Sequence, residues 1–415
     1  MEGQHQARRL GLVSAVGIGV GSMLGAGVFV VWSPAASAAG AWLPVAVLLA
    51  AAVAVINALS TAHLAALHPV AGGAYAYGVR ELHSPWGFVA GAGFVTGKTA
   101  SLAAMGLAIG SYTWRDHAQW VATVVLVAAF ALNVLGVHRT AAVTTLAAVV
   151  VTAGLLAIAG ASATSPAASA AQGADAGVAG IAEAAALVFF AFAGYARLAT
   201  LGEEVRDPER VIVRAVAWAV GIVIAIYLVL AFVVVRRPGV AALADAAAPL
   251  VEAAPTSGPW PGFVAFLAVA AAGGALVALL AGVGRTAMAM ARDGDVPSAF
   301  ARHNKHGAPV VAEAVAASAA IALVWLGHVG FAIAMSSAAV LTYYAVANAA
   351  AFAARHRGAR MPMPLTLSGL GVGLCVVLAV SVEPRALASA GAVMVITVVA
   401  RVLIRRRGDR PQAGS

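Results

Sequence analysis

The chain is a succession of long apolar stretches separated by short polar or basic ones. A helix that crosses a bilayer needs about 20 predominantly apolar residues, and twelve stretches are candidates. Their predicted starts are Leu10, Trp42, Trp86, Ala118, Thr140, Val178, Val211, Trp260, Val310, Phe331, Pro364 and Ala386. The pattern therefore predicts an all-α integral membrane protein with about twelve transmembrane helices.

Composition excludes a soluble fold. Hydrophobic residues make up 62% of the chain and charged residues only 10%, whereas ordinary globular proteins carry roughly 25% charged residues. The net charge of +9 could suggest nucleic-acid binding, but the basic residues lie between the spans and at the chain ends. The single cysteine, Cys375, lies in an apolar run and is interpreted as a packing residue. The first apolar run is too long for a signal peptide.

Basic residues also predict the orientation. If the N-terminus is cytoplasmic, nineteen of the 25 lysines and arginines fall inside, as the positive-inside rule expects. The four outside are Arg115, Arg236, Arg237 and Arg385. Lys98 and Arg197 fall within spans. We expect a multi-pass protein of the inner (plasma) membrane with both termini cytoplasmic, and a basic tail that contacts anionic membrane lipid.

Two spans carry signs of a broken helix. The first contains GIGVGSMLGAGVF, and glycine weakens a helix by about 1 kcal/mol relative to alanine. Irregular backbone inside a membrane is tolerated only where it is buried or lines a cavity, and freed N–H groups at a helix start bind carboxylates. Close helix packing explains the same glycines equally well.

In the sixth span Gly194 interrupts an aromatic run. Interruptions at matching positions of two halves point to a transporter site.

Four segments resemble the amino acid permease branch of the amino acid–polyamine–organocation superfamily. They are GSMLGAGVF, PVAGGAYAYGVRELHSPWGFVAG, FFAFAGYARLATLGEEVRDPER and GRTAMAMARDGDVPSAFAR. The resemblance implies an inverted five-plus-five repeat, as in leucine-transporter-like folds, with discontinuous first and sixth helices. The implied units are 1–162, 163–357, two extra helices at 358–405 and a basic tail at 406–415. It also implies alternating access around a site between the first and sixth spans.

The resemblance also implies the site residues. The substrate carboxylate would meet the N–H groups of Gly25, Ala26 and Gly27. Its ammonium would meet carbonyls near Met23 and those of Phe190, Ala191 and Ala193. Phe190 is similar to the gating aromatic of the family, and Ser101 matches a substrate-facing position. Because backbone groups recognise the amino-acid head group, these contacts leave the preferred side chain open.

The chain departs from its relatives at positions that concern coupling. The eighth span reads AAAGGALVALLAGVG, with no hydroxyl before Thr286, where sodium-coupled relatives have them. The fifth span lacks the lysine of some proton-coupled relatives. Lys98 follows Gly97 where relatives have tryptophan, and Ala196-Arg197 stands where they often have an acidic residue. We expect no metal site, and coupling that is proton-linked or exchange rather than sodium-driven.

Lys98 is the sharpest candidate for coupling or gating. It lies near mid-membrane, where ionisable residues are costly and are functional candidates by default. Burial penalises a charged amine, so Lys98 is a candidate proton carrier. It would act either beneath the broken first span or on the substrate pocket, through the helix face it shares with Ser101. Alternatively it snorkels or pairs with a carboxylate.

Other polar residues have open interpretations. Arg197 and Glu204 form a structural ion pair or an inner gate, or Arg197 attracts a second substrate carboxylate. His63 and His68 lie near a helix end and are predicted to be solvated. Tyr343 and Tyr344, on the tenth span, either reach the substrate pocket or serve as packing residues between helices.

These observations predict a secondary active transporter of amino acids that is not an enzyme and uses no cofactor. Its partners would be the amino acid, membrane lipid and protons, without nucleic acid. The alternatives are a carrier of polyamines or other small organic amines, which Lys98 and Arg197 would repel, and a non-transporting membrane sensor.

Overall fold

A computed structural model describes residues 10–68, 72–136, 141–164, 176–199, 205, 207–359 and 363–408. We number the apolar helical segments of this part α1 to α12 in chain order. They are α1a (Leu12–Met23), α1b (Gly27–Val30), α2 (Leu43–Leu67), α3 (Ser84–Thr113), α4 (Ala118–Val134), α5 (Ala141–Ala163), α6a (Val178–Phe192), α6b (Ala196–Ala199), α7 (Pro208–Arg236), α8 (Trp260–Arg292), α9 (Val310–Leu326), α10 (Val329–His356), α11 (Leu365–Val380) and α12 (Pro384–Gly408).

Short helices connect some of these segments in the described residues. They are Trp32–Ala39, Ala74–Glu81, Val240–Ala244 and Pro249–Ala253, with 3₁₀ turns at Gly40–Trp42, Arg115–His117, Ala193–Tyr195 and Ser298–Ala301. The described residues form no strand beyond a one-residue parallel bridge between Leu10 and Val205. The prediction of an all-helical protein is therefore confirmed.

Ten spans are long and apolar enough to cross a membrane in the described part of the chain. The remaining two segments, α9 and α11, are shorter, with 17 and 16 residues. At 1.5 Å per residue they extend about 26 Å and about 24 Å, slightly less than the bilayer core of about 30 Å. A helix begins within a few residues of every predicted start.

The third helix is enclosed by its neighbours. It packs against α4, α8, α9, α10 and α12. Two glycines allow the close approach to α10: a Cβ on Gly93 would lie 2.8 Å from the Ala339 carbonyl oxygen, and one on Gly97 would lie 2.9 Å from that of Ser336. Lipid supplies no hydrophobic force between helices, so such small-residue contacts hold them together. As a consequence, Lys98, which follows Gly97, is deep inside the protein.

A buried ion network fixes α12 at the arginine-rich end of the molecule. Asp295, after α8, is 1% exposed and accepts hydrogen bonds from Arg401 Nε at 2.6 Å and Arg405 at 2.8 Å. Arg401 also donates to Ser84 Oγ at the start of α3 and lies over the Phe88 ring. Charged groups this buried need such partners, so the network anchors the last helix to α3.

One of the two histidines near the end of α2 differs from the prediction of solvated side chains. His63 is only 8% exposed, and its Nδ1 lies 2.7 Å from the Leu59 carbonyl oxygen. The prediction was wrong for His63 because α2 is covered by neighbouring helices down to this turn. His68 is partly exposed, and its Nε2 lies 2.5 Å from Glu81, which also pairs with Arg357.

The opposite end of the molecule is covered by the predicted external loop. This loop forms the helices Val240–Ala244 and Pro249–Ala253. Tyr112, near the end of α3, donates its hydroxyl to the Phe29 carbonyl at 2.7 Å and accepts from the Leu250 N–H at 3.1 Å. Ser33 donates to the Ala244 carbonyl at 2.7 Å. The loop is thereby tied to α1b and closes over it.

Candidate functional site

The first helix is broken at the predicted glycines. α1a ends at Met23 and α1b begins at Gly27, with Leu24, Gly25 and Ala26 outside either helix. Gly25 and Ala26 are buried, and in the described part of the chain neither N–H donates to a backbone or side-chain acceptor. Unpaired buried N–H groups are rare in proteins, so this break has unused capacity to bind an anionic group.

The sixth helix changes geometry at the predicted position. α6a ends at Phe192, the 3₁₀ turn Ala193–Tyr195 follows, and α6b continues from Ala196. The Ala193 N–H lies within reach of the Phe189 and Phe190 carbonyls. The helix tightens here rather than unwinding into an open segment, which redirects the Ala193 carbonyl away from the α-helical ladder.

Glycines bring the two breaks into contact. A Cβ on Gly27 would lie 2.6 Å from Ala191 Cα, and a Cβ on Gly194 would lie 2.2 Å from the Ser22 carbonyl oxygen. Real Cβ atoms essentially never approach other atoms so closely. Glycine is thus required at both contacts, and the packing interpretation of the glycines holds together with the interpretation of a broken helix.

One tyrosine bridges two of the predicted ammonium acceptors. The Tyr227 hydroxyl, on α7, lies 2.7 Å from the Met23 carbonyl oxygen and 3.2 Å from that of Ala191. Sequence reasoning missed this residue. A signal was available, because a lone tyrosine inside an apolar span has to place its hydroxyl on a partner.

Lys98 and Tyr344 share the third acceptor. Lys98 Nζ donates to the Ala193 carbonyl oxygen at 3.3 Å, and the Tyr344 hydroxyl donates to the same oxygen at 3.3 Å. Lys98 is 7% exposed and Tyr344 is fully buried. In the residues that the structure describes, no carboxylate forms an ion pair with Lys98. The lysine therefore reaches the turn of the sixth helix instead of snorkelling, and Tyr344 reaches it too.

The remaining candidates are more dispersed. The Ser101 hydroxyl is 2.8 Å from that of Ser336 on α10 and donates to the Gly97 carbonyl, so it faces α10. Tyr343 accepts a hydrogen bond from the Ala74 N–H, away from the breaks. Phe190 is buried in α6a, and Arg197 is half-buried on α6b. Glu204 lies outside the described residues, so its pairing with Arg197 stays a prediction.

A buried polar cluster adjoins Tyr344 and was not predicted. Asn348 Nδ2 on α10 donates to Asn57 Oδ1 on α2 at 2.6 Å, and Ser60 donates to Asn348 Oδ1 at 2.6 Å. The Cys375 thiol on α11 lies 3.2 Å from Asn57 Oδ1. Cys375 is thus more than the packing residue inferred from sequence. The Asn57 Nδ2 group has no partner in the described part of the chain, so the cluster links α2, α10 and α11 through hydrogen bonds but leaves one buried donor unused.

We expect Tyr227→Phe to destabilise the protein. The variant removes the single hydroxyl donor that the buried Met23 and Ala191 carbonyls share, and an unsatisfied buried polar group costs about 1–3 kcal/mol. The thermal unfolding midpoint in detergent should fall below that of the wild type. Tyr77→Phe is the matched control, because the buried Tyr77 hydroxyl has no partner in the described part of the chain. A Tyr227→Phe midpoint no lower than that of Tyr77→Phe would contradict the bridging role.

The helices and their two joined breaks define a class of protein, the multi-pass helical membrane proteins. Within it, residues 15–359 match the family model described as "Amino acid permease", and the chain belongs to this family, part of the amino acid–polyamine–organocation superfamily. The resemblance drawn from the sequence motifs is confirmed. As a member of this family, the chain is a transporter.

Named relatives are similar over most of the chain. An uncharacterized transporter of Mycobacterium tuberculosis is 47% identical over 352 residues, covering 83% of this chain and 80% of the relative. The chloroplastic cationic amino acid transporter 9 of Arabidopsis thaliana is 28% identical, covering 72% of this chain and 58% of the relative. The branched-chain amino acid permease BcaP of Bacillus subtilis is 25% identical, covering 74% of this chain and 72% of the relative.

Proposed function

We propose that this protein is a secondary active transporter that carries amino acids across the cytoplasmic membrane by alternating access. Twelve spans, arranged as inverted repeats over 1–162 and 163–357 with two further helices, would place both termini in the cytoplasm. Coupling is to protons or to exchange of a second solute, not to sodium. The activity is transport without catalysis, and it requires no cofactor.

The observation that carries the proposal is the pairing of opposite polarities where the two breaks meet. Free N–H groups of Gly25 and Ala26 lie at the start of α1b, where the helix dipole favours an anion. The carbonyls of Met23, Ala191 and Ala193 bond to side-chain donors from α3, α7 and α10. An amino-acid head group carries a carboxylate and an ammonium on adjacent atoms, which complements such an arrangement.

The substrate class also fits the family. Two relatives are named for amino acids with unlike side chains, one cationic and the other branched-chain. What those substrates share is the head group, which backbone atoms would recognise here. Lys98, at the sixth-helix turn, and Arg197, on α6b, disfavour a cationic side chain in this chain and disfavour polyamines still more. We therefore favour neutral or acidic amino acids.

Uptake by proteoliposomes tests the proposal. The purified protein would be offered each of the twenty amino acids, and also putrescine and spermidine, with protein-free liposomes as the control. Uptake of at least one amino acid is the expected result. Uptake of the amines alone would favour the polyamine carrier. Binding of an amino acid without uptake or exchange would favour the sensor.

Replacing sodium by choline is expected to leave amino-acid uptake unchanged. Hard cations need about six or more oxygen ligands, and α8 carries no hydroxyl before Thr286. The Thr286 hydroxyl itself donates to the Gly282 carbonyl within its own helix. Initial rates in the two salts at equal ionic strength give the answer. A severalfold lower rate in choline would show that sodium is a coupling ion.

A further inference from the structure

Resting on the proposed function, we propose that the Lys98 ammonium and the substrate ammonium are alternative occupants of the Ala193 carbonyl, so that binding an amino acid expels one proton. The amino acid and the proton then compete for the site. This fixes the direction of coupling: the protein exchanges an amino acid for a proton and does not carry the two together.

The Ala193 carbonyl can accept only a limited number of donors. A backbone carbonyl oxygen has two lone pairs. The Ala193 oxygen already receives Lys98 Nζ and the Tyr344 hydroxyl, each at 3.3 Å. A substrate ammonium that uses this oxygen must displace one of the two donors.

The two donors to the Ala193 carbonyl, Tyr344 and Lys98, differ in how firmly they are held. The Tyr344 ring is held by aromatic neighbours, with centroids 5.0 Å from Tyr195, 4.9 Å from Tyr343 and 5.7 Å from Phe189. Lys98 instead reaches Ala193 through a flexible four-carbon stem. The lysine is the donor that can swing away.

A displaced Lys98 ammonium is unfavourable beside the substrate ammonium. Two ammonium groups sharing one acceptor in a low-dielectric site repel each other strongly. Ionisable groups on the elements around Lys98 include Glu183, Tyr195 and Arg197 on the sixth helix, Tyr343, Tyr344, Arg355 and His356 on α10, Tyr227 on α7, Glu313 on α9, Arg285 and Arg292 on α8, Arg385, Arg401, Arg405 and Arg406 on α12, and Tyr75, Tyr77, Arg80 and Glu81 on the helix Ala74–Glu81. None of them is in ion-pair contact with Lys98 in the described residues.

In the described part of the chain, the carboxylates on neighbouring elements pair with other groups or are not in ion-pair contact with Lys98. Asp295 pairs with Arg401 and Arg405, Glu81 pairs with His68 and Arg357, and Asp293 accepts from Tyr75. Glu313 is buried in the first turn of α9 beside Gly284. Within the residues that the structure describes, no protein carboxylate is therefore paired with Lys98 or left over beside it to stabilise the charge of the displaced lysine. Lys98 gives its proton to water on the side of the membrane from which the substrate enters, and it remains as a neutral amine. One ammonium leaves the carbonyl as a neutral amine and a proton while another binds, so charge and protons balance.

Calorimetric titration of the full-length protein tests this. The probe is the tightest binder among the twenty L-amino acids, titrated at one pH in phosphate and in Tris, whose ionisation enthalpies differ. The difference in heat counts the protons released. We expect about one proton for the wild type, and a dissociation constant that falls by up to about tenfold per pH unit increase. The matched probe is the desamino carboxylic acid of the same side chain, which has no ammonium and should release none.

Lys98→Met is the matched variant, and Lys98→Gln replaces it if the methionine variant does not fold. Either variant should bind the amino acid with no proton released and with a pH-independent dissociation constant. Wild-type binding without proton release would overturn the inference, as would proton release that persists in the variant. Failure of all twenty amino acids to bind the wild type would instead overturn the proposed function.

Discussion

Alanine in place of Gly194 is expected to reduce amino-acid uptake by up to about 100-fold. The new Cβ would lie 2.2 Å from the Ser22 carbonyl oxygen and 2.7 Å from the Met23 nitrogen. Both are backbone atoms at the end of α1a, so no side chain can rotate away and the two broken helices must separate. Overpacking of this kind costs about 1–3 kcal/mol or more, and a cost of about 3 kcal/mol corresponds to about 100-fold in an equilibrium. Initial uptake rates in proteoliposomes measure the effect.

A graded series separates this clash from a general effect of added methyl groups. Gly221→Ala on α7 is the control, because nothing lies within 4 Å of the added Cβ, and its uptake should equal that of the wild type. Gly25→Ala should fall between, since its Cβ would lie 3.0 Å from the Ala275 methyl group. Size-exclusion chromatography confirms folding. If a folded Gly194→Ala protein transports at the rate of Gly221→Ala, the contact between the two breaks is not part of the site.

The glycines of the first span show how far sequence patterns reach. Their density predicted a broken helix, and the break spans Leu24 to Ala26, so that Gly25 lies in it and Gly27 begins α1b. Gly17 and Gly19, however, lie within α1a, where they make room for Thr145 and Leu198. Local propensity indicates that a helix is weak, whereas the partner that occupies the space is set by tertiary packing. The sequence therefore predicted the break but not which glycines form it.

Helix positions were predictable because the apolar runs and their punctuation are local features. Contacts between distant segments were not. Tyr227 meets Met23 across 204 positions of the chain, and Asn348 meets Asn57 across 291. No periodicity carries such a pairing. The sequence singled out Lys98 by its cost in the membrane, but its acceptor is the Ala193 carbonyl 95 positions away on another helix, a contact that depends on tertiary packing.

Arginine in place of Lys98 is expected to abolish uptake across the physiological pH range while the protein remains folded. A guanidinium stays protonated at every accessible pH and offers five donors. It would hold the Ala193 carbonyl permanently, so a substrate ammonium could neither displace it nor expel its proton. Initial rates in proteoliposomes should be at least about 100-fold below those of the wild type. A 100-fold lower rate corresponds to a free-energy difference of about 3 kcal/mol between variant and wild type.

The methionine variant distinguishes loss of the exchangeable proton from loss of the site. Lys98→Met leaves the carbonyl open, so it should retain uptake but lose its pH dependence. In the wild type, uptake at low substrate concentration should rise with external pH by up to about tenfold per unit, and an acidic lumen should accelerate it. If Lys98→Arg transports at the wild-type rate with the wild-type pH profile, the lysine is a structural donor to the sixth-helix turn. Proton exchange would then have to reside in another group.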